Sequence, residues 1–92
     1  QIGPAGALAL AEMLKVNKTL KIFGLYYCGG GDEGIHHLAA ALQVNESLEE
    51  LNLHDNEITH VGAVELAAAL PVNKTLRKLL LWNNHLGVAG IE

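Results

Sequence analysis

The chain has 92 residues and a mass of 9.8 kDa, which suffices for one small domain with one core. Half of its residues are hydrophobic but only 4% are aromatic, so the core must be aliphatic, and this composition excludes a disordered chain. A net charge of -4 argues against a nucleic-acid-binding protein, which needs a basic face. No run approaches the roughly 18 apolar residues of a membrane span.

The cysteine content and the N-terminal sequence bear on the cellular location of the protein. The single cysteine, Cys28, cannot form an internal disulfide. The chain does not begin with Met and shows no signal sequence. We therefore expect a cytoplasmic protein and a piece of a longer chain.

A repeat of 28 residues organises the sequence. The segment 20–47 aligns without gaps on 48–75, and the ten identities include the pairs Gly34/Gly62 and Asn45/Asn73. We interpret residues 1–92 as a single domain. It divides into a leading half repeat, two whole repeats and a trailing half repeat: 1–19, 20–47, 48–75 and 76–92.

Within each repeat the hydrophobic period changes from that of a strand to that of a helix. Short strands of about five residues are predicted to start near 20, 48 and 76, and helices near 6–15, 34–44 and 62–71. The stripe in the third helix consists of Ala63, Leu66, Ala67 and Leu70, at the spacing of one helix face. One repeat cannot bury both its strand leucines and its helix stripe, so successive strands must pair in parallel with every helix on the other side.

The pattern L-x-x-L-x-L-x-x-N-x-I in 48–58, repeated in 76–86, resembles a leucine-rich repeat. The 28-residue length and the helix pattern G-A-x-x-L-A-x-A-L are similar to the ribonuclease-inhibitor-like subclass, which is also found in NOD-like receptors. The resemblance implies an α/β solenoid with a concave parallel sheet and convex helices. It also implies that Asn56 and Asn84 hydrogen-bond the loop backbone, a position that Cys28 takes in the first repeat.

A glycine motif, Gly29-x-Gly31-x-x-Gly34, matches a dinucleotide-binding fingerprint after a predicted strand. The next repeat keeps only its last glycine, Gly62, so we expect Gly34 to serve the repeat rather than a phosphate. Nucleotide binding through this loop is the least favoured of the functional alternatives. In the structural alternative, Asp32 is a candidate cap for the helix that follows.

Three asparagines, Asn17, Asn45 and Asn73, each begin a glycosylation sequon, and whether they are ever modified is left open. Their strict recurrence favours a turn between helix and strand, in which Asn adopts the left-handed conformation and the Ser or Thr hydroxyl satisfies the backbone. The five histidines show no metal-ligand spacing, and no base is placed beside Cys28. We expect no catalytic residue, no metal site and no cofactor, and hence no enzyme.

Strand alternation predicts which side chains face solvent. If Leu51 and Leu53 point into the core, then the alternate residues and their repeat equivalents line the concave face. These are Glu50, Asn52 and His54, with Ile22, Gly24 and Tyr26 one repeat before and Lys78, Leu80 and Trp82 one repeat after. Large aromatic side chains dominate binding sites, and the resemblance also implies that concave aromatics hold protein ligands. The candidate protein-binding residues are Tyr26, Tyr27, His54, Asp55, Leu80 and Trp82. In the alternative reading, the aromatic residues only stabilise neighbouring strands.

These patterns favour a non-catalytic protein–protein interaction module that binds another protein through its concave face. The alternative is a purely architectural or oligomerisation segment of a larger repeat protein. Neither end of the sequence supplies the polar terminal repeat that such arrays need, so self-association through uncapped ends is also expected. Nucleic acid and membrane are not expected partners.

Overall fold

The computed structural model describes residues 3–25, 31–81 and 84. Helices and strands alternate along these residues, as the change of hydrophobic period predicted. The elements are α1 (Gly3–Val16), β1 (Ile22–Gly24), α2 (Gly31–Leu42), β2 (Glu50–Asn52), α3 (His60–Ala69) and β3 (Lys78–Leu80). None of the described helices has the length and apolar character that crossing a membrane requires.

The three strands form one parallel sheet in the order β1-β2-β3, and α2 packs between α1 and α3. Phe23, Leu51 and Leu79 pair across the sheet, so each strand is displaced by one repeat from its neighbour. The predicted α/β solenoid with a parallel sheet and a separate helix layer is thereby confirmed.

The strands are shorter than predicted and start two residues later, with three residues each. The reason lies in the leucine that opens each repeat. The backbone N–H groups of Leu20, Leu48 and Leu76 donate to the side-chain oxygen of an asparagine three residues earlier, at 2.8, 2.8 and 2.7 Å. Each of these leucines therefore closes a turn instead of beginning a strand.

The core is aliphatic, and its most completely buried leucines lie in the middle of the chain. Leu48, Leu51 and Leu53 are fully buried, as are Leu38 and Leu42 of α2. Leu14, Leu25 and Leu66 to either side are also buried. Five further leucines at equivalent positions are only partly buried against this core: Leu10, Leu20, Leu76, Leu79 and Leu81. At these five positions, burial is less complete than at the equivalent positions in the middle of the chain.

The predicted apolar face of α3 is only half buried. Ala63 and Leu66 are fully buried, but Ala67 and Leu70 are exposed, with Leu70 at 36%. Ala39, which corresponds to Ala67 one repeat earlier, is buried on α2, which packs against both α1 and α3. Among the described residues, no helix packs on the opposite side of α3.

The repeated glycine marks a close approach between neighbouring repeats. A Cβ atom on Gly34 would lie 3.0 Å from Ala7 Cβ, and one on Gly62 would lie 2.4 Å from Asp32 Oδ1. Both distances are too short for an unshifted side chain. Gly34 therefore meets a packing demand of the repeat, as the sequence predicted, while Gly29 lies outside the described residues.

The sequon asparagines form a ladder that links successive repeats. Asn45 Nδ2 donates to Leu14 O at 2.8 Å and to Asn17 O at 3.3 Å, and Asn73 repeats this pattern on Leu42 and Asn45. The prediction of a left-handed backbone was wrong for these residues, because among described non-glycine residues only Asp55 and Glu57 have positive φ. Their role comes from the side-chain amide, which serves two repeats at once.

A second ladder lies at the other end of the strands. Asn56 Nδ2 donates to the carbonyls of Leu25 and His54, and Asn84 Nδ2 donates to Leu53 O at 2.7 Å and to Leu81 O at 3.1 Å. The expected hydrogen bonds from Asn56 and Asn84 to loop backbone are thereby confirmed.

Candidate protein-binding face

The sheet surface turned away from the core, here called the strand face, corresponds to the predicted concave face. The register aligns its side chains in two rows across the three strands. One row is Ile22, Glu50 and Lys78, and the other is Gly24, Asn52 and Leu80. Leu51, between the two rows, is fully buried, so the alternation predicted from the sequence holds on β2.

The β1 end of the strand face is apolar and open. Ile22 is 60% exposed, and Gly24 beside it has no side chain to cover the backbone. Exposed branched aliphatic side chains contribute contact area when a partner covers them, at about 25 cal/mol per Å². Ile22 is thus the most exposed apolar contact point among the described residues of this surface.

A short chain of polar contacts crosses the centre of the strand face. Asn52 Nδ2 donates to Glu50 Oε2 at 3.1 Å, and Glu50 Oε1 lies 3.8 Å from Lys78 Nζ. Because a carboxylate only accepts hydrogen bonds, this contact fixes which end of the amide faces Glu50. Asn52 Oδ1 is left buried without a hydrogen-bond partner, an arrangement that typically costs about 1–3 kcal/mol.

Charges also alternate just before the strands begin. Lys21 Nζ lies 3.9 Å from Glu49 Oε2, and Arg77 occupies the same register position on the next repeat. The Lys21–Glu49 and Glu50–Lys78 contacts both join neighbouring repeats across the sheet. Exposed pairs of this kind contribute about 0.2–1 kcal/mol each, so they set register more than stability.

The candidate residues chosen from the sequence have different outcomes. Leu80 is half-buried and pairs in register with Asn52. His54 and Asp55 are half-buried in the turn after β2, where Asp55 has a φ of 60°. Tyr26, Tyr27 and Trp82 lie outside the described residues, so the aromatic part of the predicted site stays a prediction.

Sequence reasoning placed Ile22, Glu50, Asn52 and Lys78 on this surface but did not select them as binding residues. The preference for aromatic side chains decided that selection. The exposed isoleucine beside a glycine was a signal that could have added Ile22. The unpartnered oxygen of Asn52 has no signature in the sequence, because it depends on the contact with Glu50.

The N-terminus of α3 holds an acidic side chain from the neighbouring repeat. Asp32 Oδ1 accepts hydrogen bonds from the N–H groups of Thr59 and Gly62, both at 2.9 Å, and Oδ2 accepts one from the Thr59 hydroxyl. Burial alone would raise the pKa of Asp32, but these hydrogen bonds and nearby His60 outweigh it and lower the pKa. Asp32 was predicted to cap its own helix; instead it caps the helix of the next repeat.

The histidines show no ligand cluster in the part of the chain that the structure describes, where no three His, Cys, Asp or Glu residues come together. His36 Nδ1 lies 3.0 Å from Glu65 Oε2, which links α2 to α3 on the helix side. This contact between two exposed side chains belongs to the solenoid and gives no indication of catalysis.

Comparisons with known proteins agree with this architecture. A family model described as "Leucine Rich repeat" matches residues 44–67. No curated protein matches the sequence. Among solved structures, the chain is similar to the actin-binding site 2 of leiomodin-1, with 31% sequence identity and a TM-score of 0.82. The match covers 87% of this chain but 47% of the leiomodin-1 chain, so this chain spans about half of that structure.

The sequence pattern, the parallel sheet with one helix layer, the asparagine ladders and both matches lead to the same conclusion. The chain is a segment of a leucine-rich-repeat solenoid.

Proposed function

We propose that this segment is a non-catalytic protein-binding module and that its partner docks on the strand face. The observation that carries the proposal is the open row of Ile22, Glu50 and Lys78, whose apolar end is 60% exposed. The leucine-rich-repeat match and the actin-binding title of the leiomodin-1 neighbour support a protein partner. Tyr26, Tyr27, His54, Asp55, Leu80 and Trp82 are proposed to extend the same surface.

The chemistry of the strand face favours a partner with both an apolar and a polar contact. Ile22 offers aliphatic area beside Gly24, where a partner side chain can approach the backbone closely. Asn52 Oδ1 is buried without a hydrogen-bond donor. If local rearrangement lets a partner donate to this oxygen, binding removes the free-energy penalty of the unsatisfied group. Glu50 and Lys78 neutralise each other, which makes a strongly charged ligand a poor fit.

We propose monomeric actin as the first partner to test, because the similar structure is titled an actin-binding site. We also propose the ribonuclease-inhibitor-like subclass, which the 28-residue spacing supports, and a cytoplasmic location, which the single cysteine supports. An architectural role for the segment is the alternative that the binding experiment must separate from this proposal.

The test is a titration of purified monomeric actin into the chain by isothermal calorimetry, with Ile22→Asp as the disrupting variant. Val64→Asp is a matched control, because Val64 is also 60% exposed but lies on α3, in the helix layer. We expect binding by the wild-type chain and by Val64→Asp. We expect a loss of affinity of about tenfold or more for Ile22→Asp, the size typical of a contributing interface residue.

Two results would contradict the proposal in different ways. Binding that Val64→Asp weakens and Ile22→Asp leaves intact would place the partner on the helices. No binding of actin by the wild-type chain would exclude actin as partner and favour an architectural role. Circular dichroism of each variant establishes that the fold is retained.

A further inference from the structure

The three sequon asparagines share one motif but differ in their surroundings. Asn45 and Asn73 are buried, at 4% and 9% exposure, whereas Asn17 is half-buried directly after α1. In N-glycosylation, the side-chain amide nitrogen of the asparagine receives the sugar. The contacts of that nitrogen, Nδ2, therefore decide whether a folded repeat has room for a glycan.

Both hydrogens of the amide are engaged between repeats at Asn45 and at Asn73. An asparagine amide has two donors, and Asn45 Nδ2 directs them to Leu14 O and Asn17 O, at 2.8 and 3.3 Å. Asn73 Nδ2 donates to Leu42 O and Asn45 O, at 2.8 and 3.0 Å. Whichever hydrogen a sugar replaces, the new covalent bond directs a bulky ring at a carbonyl oxygen of the preceding repeat.

The hydroxyl of each buried sequon is enclosed as well. The motif requires Ser or Thr at its third position; Ser47 is 5% exposed, and the Thr75 hydroxyl donates to Leu48 O at 3.1 Å. The Oδ1 atoms of Asn45 and Asn73 accept from the backbone N–H groups of these same two residues, at 3.0 and 2.9 Å. A folded repeat cannot present its asparagine and hydroxyl to an enzyme, so sugar transfer has to precede folding.

An open space adjoins the sequon of Asn45. A groove of about 240 Å³ borders Asn45 and Ser47, with Lys15 and Lys18 also in its wall. The groove offers volume for a sugar but not for the bond that attaches it, because both Nδ2 hydrogens point at carbonyl oxygens. A glycan in the groove therefore requires the Asn45 amide to leave its contacts with the preceding repeat.

We propose that N-glycosylation at Asn45 or Asn73 and the native fold of this segment exclude each other. In the transfer, Nδ2 forms a bond to the first sugar carbon of a lipid-linked oligosaccharide and loses one proton, and the lipid diphosphate leaves. The modified nitrogen keeps a single donor, so a buried carbonyl of the preceding repeat loses its hydrogen bond. A chain that is modified before it folds is thereby held unfolded, and folding requires that both sites escape the oligosaccharyltransferase. This inference deepens the proposed cytoplasmic location, because the transfer reaction does not take place in the cytoplasm.

A chemically synthesised chain tests the exclusion directly. One chain has N-acetylglucosamine on Asn45, and the control chain has it on Asn17, whose Nδ2 has no acceptor among the described residues. In urea unfolding followed by circular dichroism, the Asn17-modified chain should keep the midpoint of the unmodified chain. The midpoint of the Asn45-modified chain should fall below that of Asn45→Ala, because the sugar adds its bulk to the lost hydrogen bond.

Two outcomes of this measurement would contradict the proposal. An Asn45-modified chain with the midpoint of the unmodified chain would show that the ladder accommodates the sugar. Equal losses for the Asn17-modified and Asn45-modified chains would show that a sugar at any of these turns prevents folding, so the ladder contacts would not be the cause.

Expression of the full chain behind a secretory signal sequence tests the consequence in cells. Limited proteolysis separates folded from unfolded chains, and mass spectrometry locates the glycans in each fraction. Glycans on Asn45 and Asn73 should occur only in the protease-sensitive fraction. Ser47→Ala/Thr75→Ala, which removes both sequons but keeps both asparagines, should increase the protease-resistant fraction, whereas Thr19→Ala, which removes only the remaining sequon, should not.

A protease-resistant chain with a glycan on Asn45 or Asn73 would overturn the exclusion. If Ser47→Ala/Thr75→Ala is less stable than wild type when both are made in the cytoplasm, the location of the glycans in the wild-type fractions decides. Neither result depends on actin binding to the strand face.

Discussion

The asparagine ladder allows one stability prediction to be worked from individual hydrogen bonds. In Asn45→Ala, three buried backbone groups lose their partners: Leu14 O, Ser47 N and Leu48 N, bonded at 2.8, 3.0 and 2.8 Å. Asn45 is only 4% exposed, so water does not readily replace these contacts. At the lower end of about 1–3 kcal/mol for each unsatisfied buried group, the loss is about 3 kcal/mol.

Asn17 offers a matched control in the same motif. Its Oδ1 accepts from Thr19 N at an exposed site and from Leu20 N at a partly buried one. No preceding repeat lies within the described residues to receive its amide. Water can satisfy most of what Asn17→Ala exposes, so we expect a loss of about 1 kcal/mol or less.

Urea unfolding followed by far-UV circular dichroism measures both losses from the shift of the midpoint at unchanged slope. A domain of this size has a total stability of about 5–14 kcal/mol, so the loss expected for Asn45→Ala is a large part of it. Equal and small losses for Asn45→Ala and Asn17→Ala would refute the reasoning. They would show that the hydrogen bonds between repeats contribute no more than those within a turn.

Four further predictions concern other parts of the chain. Gly62→Ala should lose about 1–3 kcal/mol in thermal unfolding, because its Cβ would lie 2.4 Å from Asp32 Oδ1; an unchanged melting temperature would show that Asp32 moves aside freely. Folding lowers the pKa of Asp32 from its ordinary value of 3.8. The Asp32 carboxylate therefore stabilises the fold above pH 3.8, and this stabilisation is lost as the pH falls through the lower pKa of the folded state. In Asp32→Asn, the free energy of unfolding should therefore fall less steeply as the pH is lowered. An unchanged acid dependence would contradict a stabilising role for the Asp32 carboxylate at the N-terminus of α3. Trp82→Ala should weaken partner binding by about 2 kcal/mol or more while costing less stability than the roughly 3–5 kcal/mol of a buried aromatic; unfolding without a binding defect would place Trp82 in the core. The chain should either self-associate, which light scattering detects, or have a low melting temperature, which thermal unfolding detects. A monomer at high concentration with a high melting temperature would exclude both.

The fold was predictable from the sequence because the same residues recur at a fixed spacing. Leu48, Leu51 and Leu53 occupy positions that only a stacked repeat can bury, and all three are fully buried. The period also predicted parallel pairing, since each strand is followed by a helix that returns the chain in one direction. Local pattern and global packing agree at these positions.

The errors come from contacts between repeats, which a pattern within one repeat does not contain. The strands start late because asparagine side chains take the first leucine N–H groups. Asp32 caps the helix of the following repeat, and a rule for one helix cannot identify that recipient. Ala67 and Leu70 have the same pattern as buried Ala39 and Leu42 but lack a described neighbour to cover them.

The candidate site is harder to predict for a related reason. Inward positions repeat leucines, apart from Phe23 on β1, so they specify stacking and carry no information about a partner. The outward row changes at every strand, from Ile22 to Glu50 to Lys78, and so does the row of Gly24, Asn52 and Leu80. A partner that distinguishes this segment from another leucine-rich repeat must therefore contact residues that the repeat leaves free to vary. Their sequence gives their chemistry, but the structure adds the contacts of Asn52 and Glu50 that decide which groups remain available to that partner.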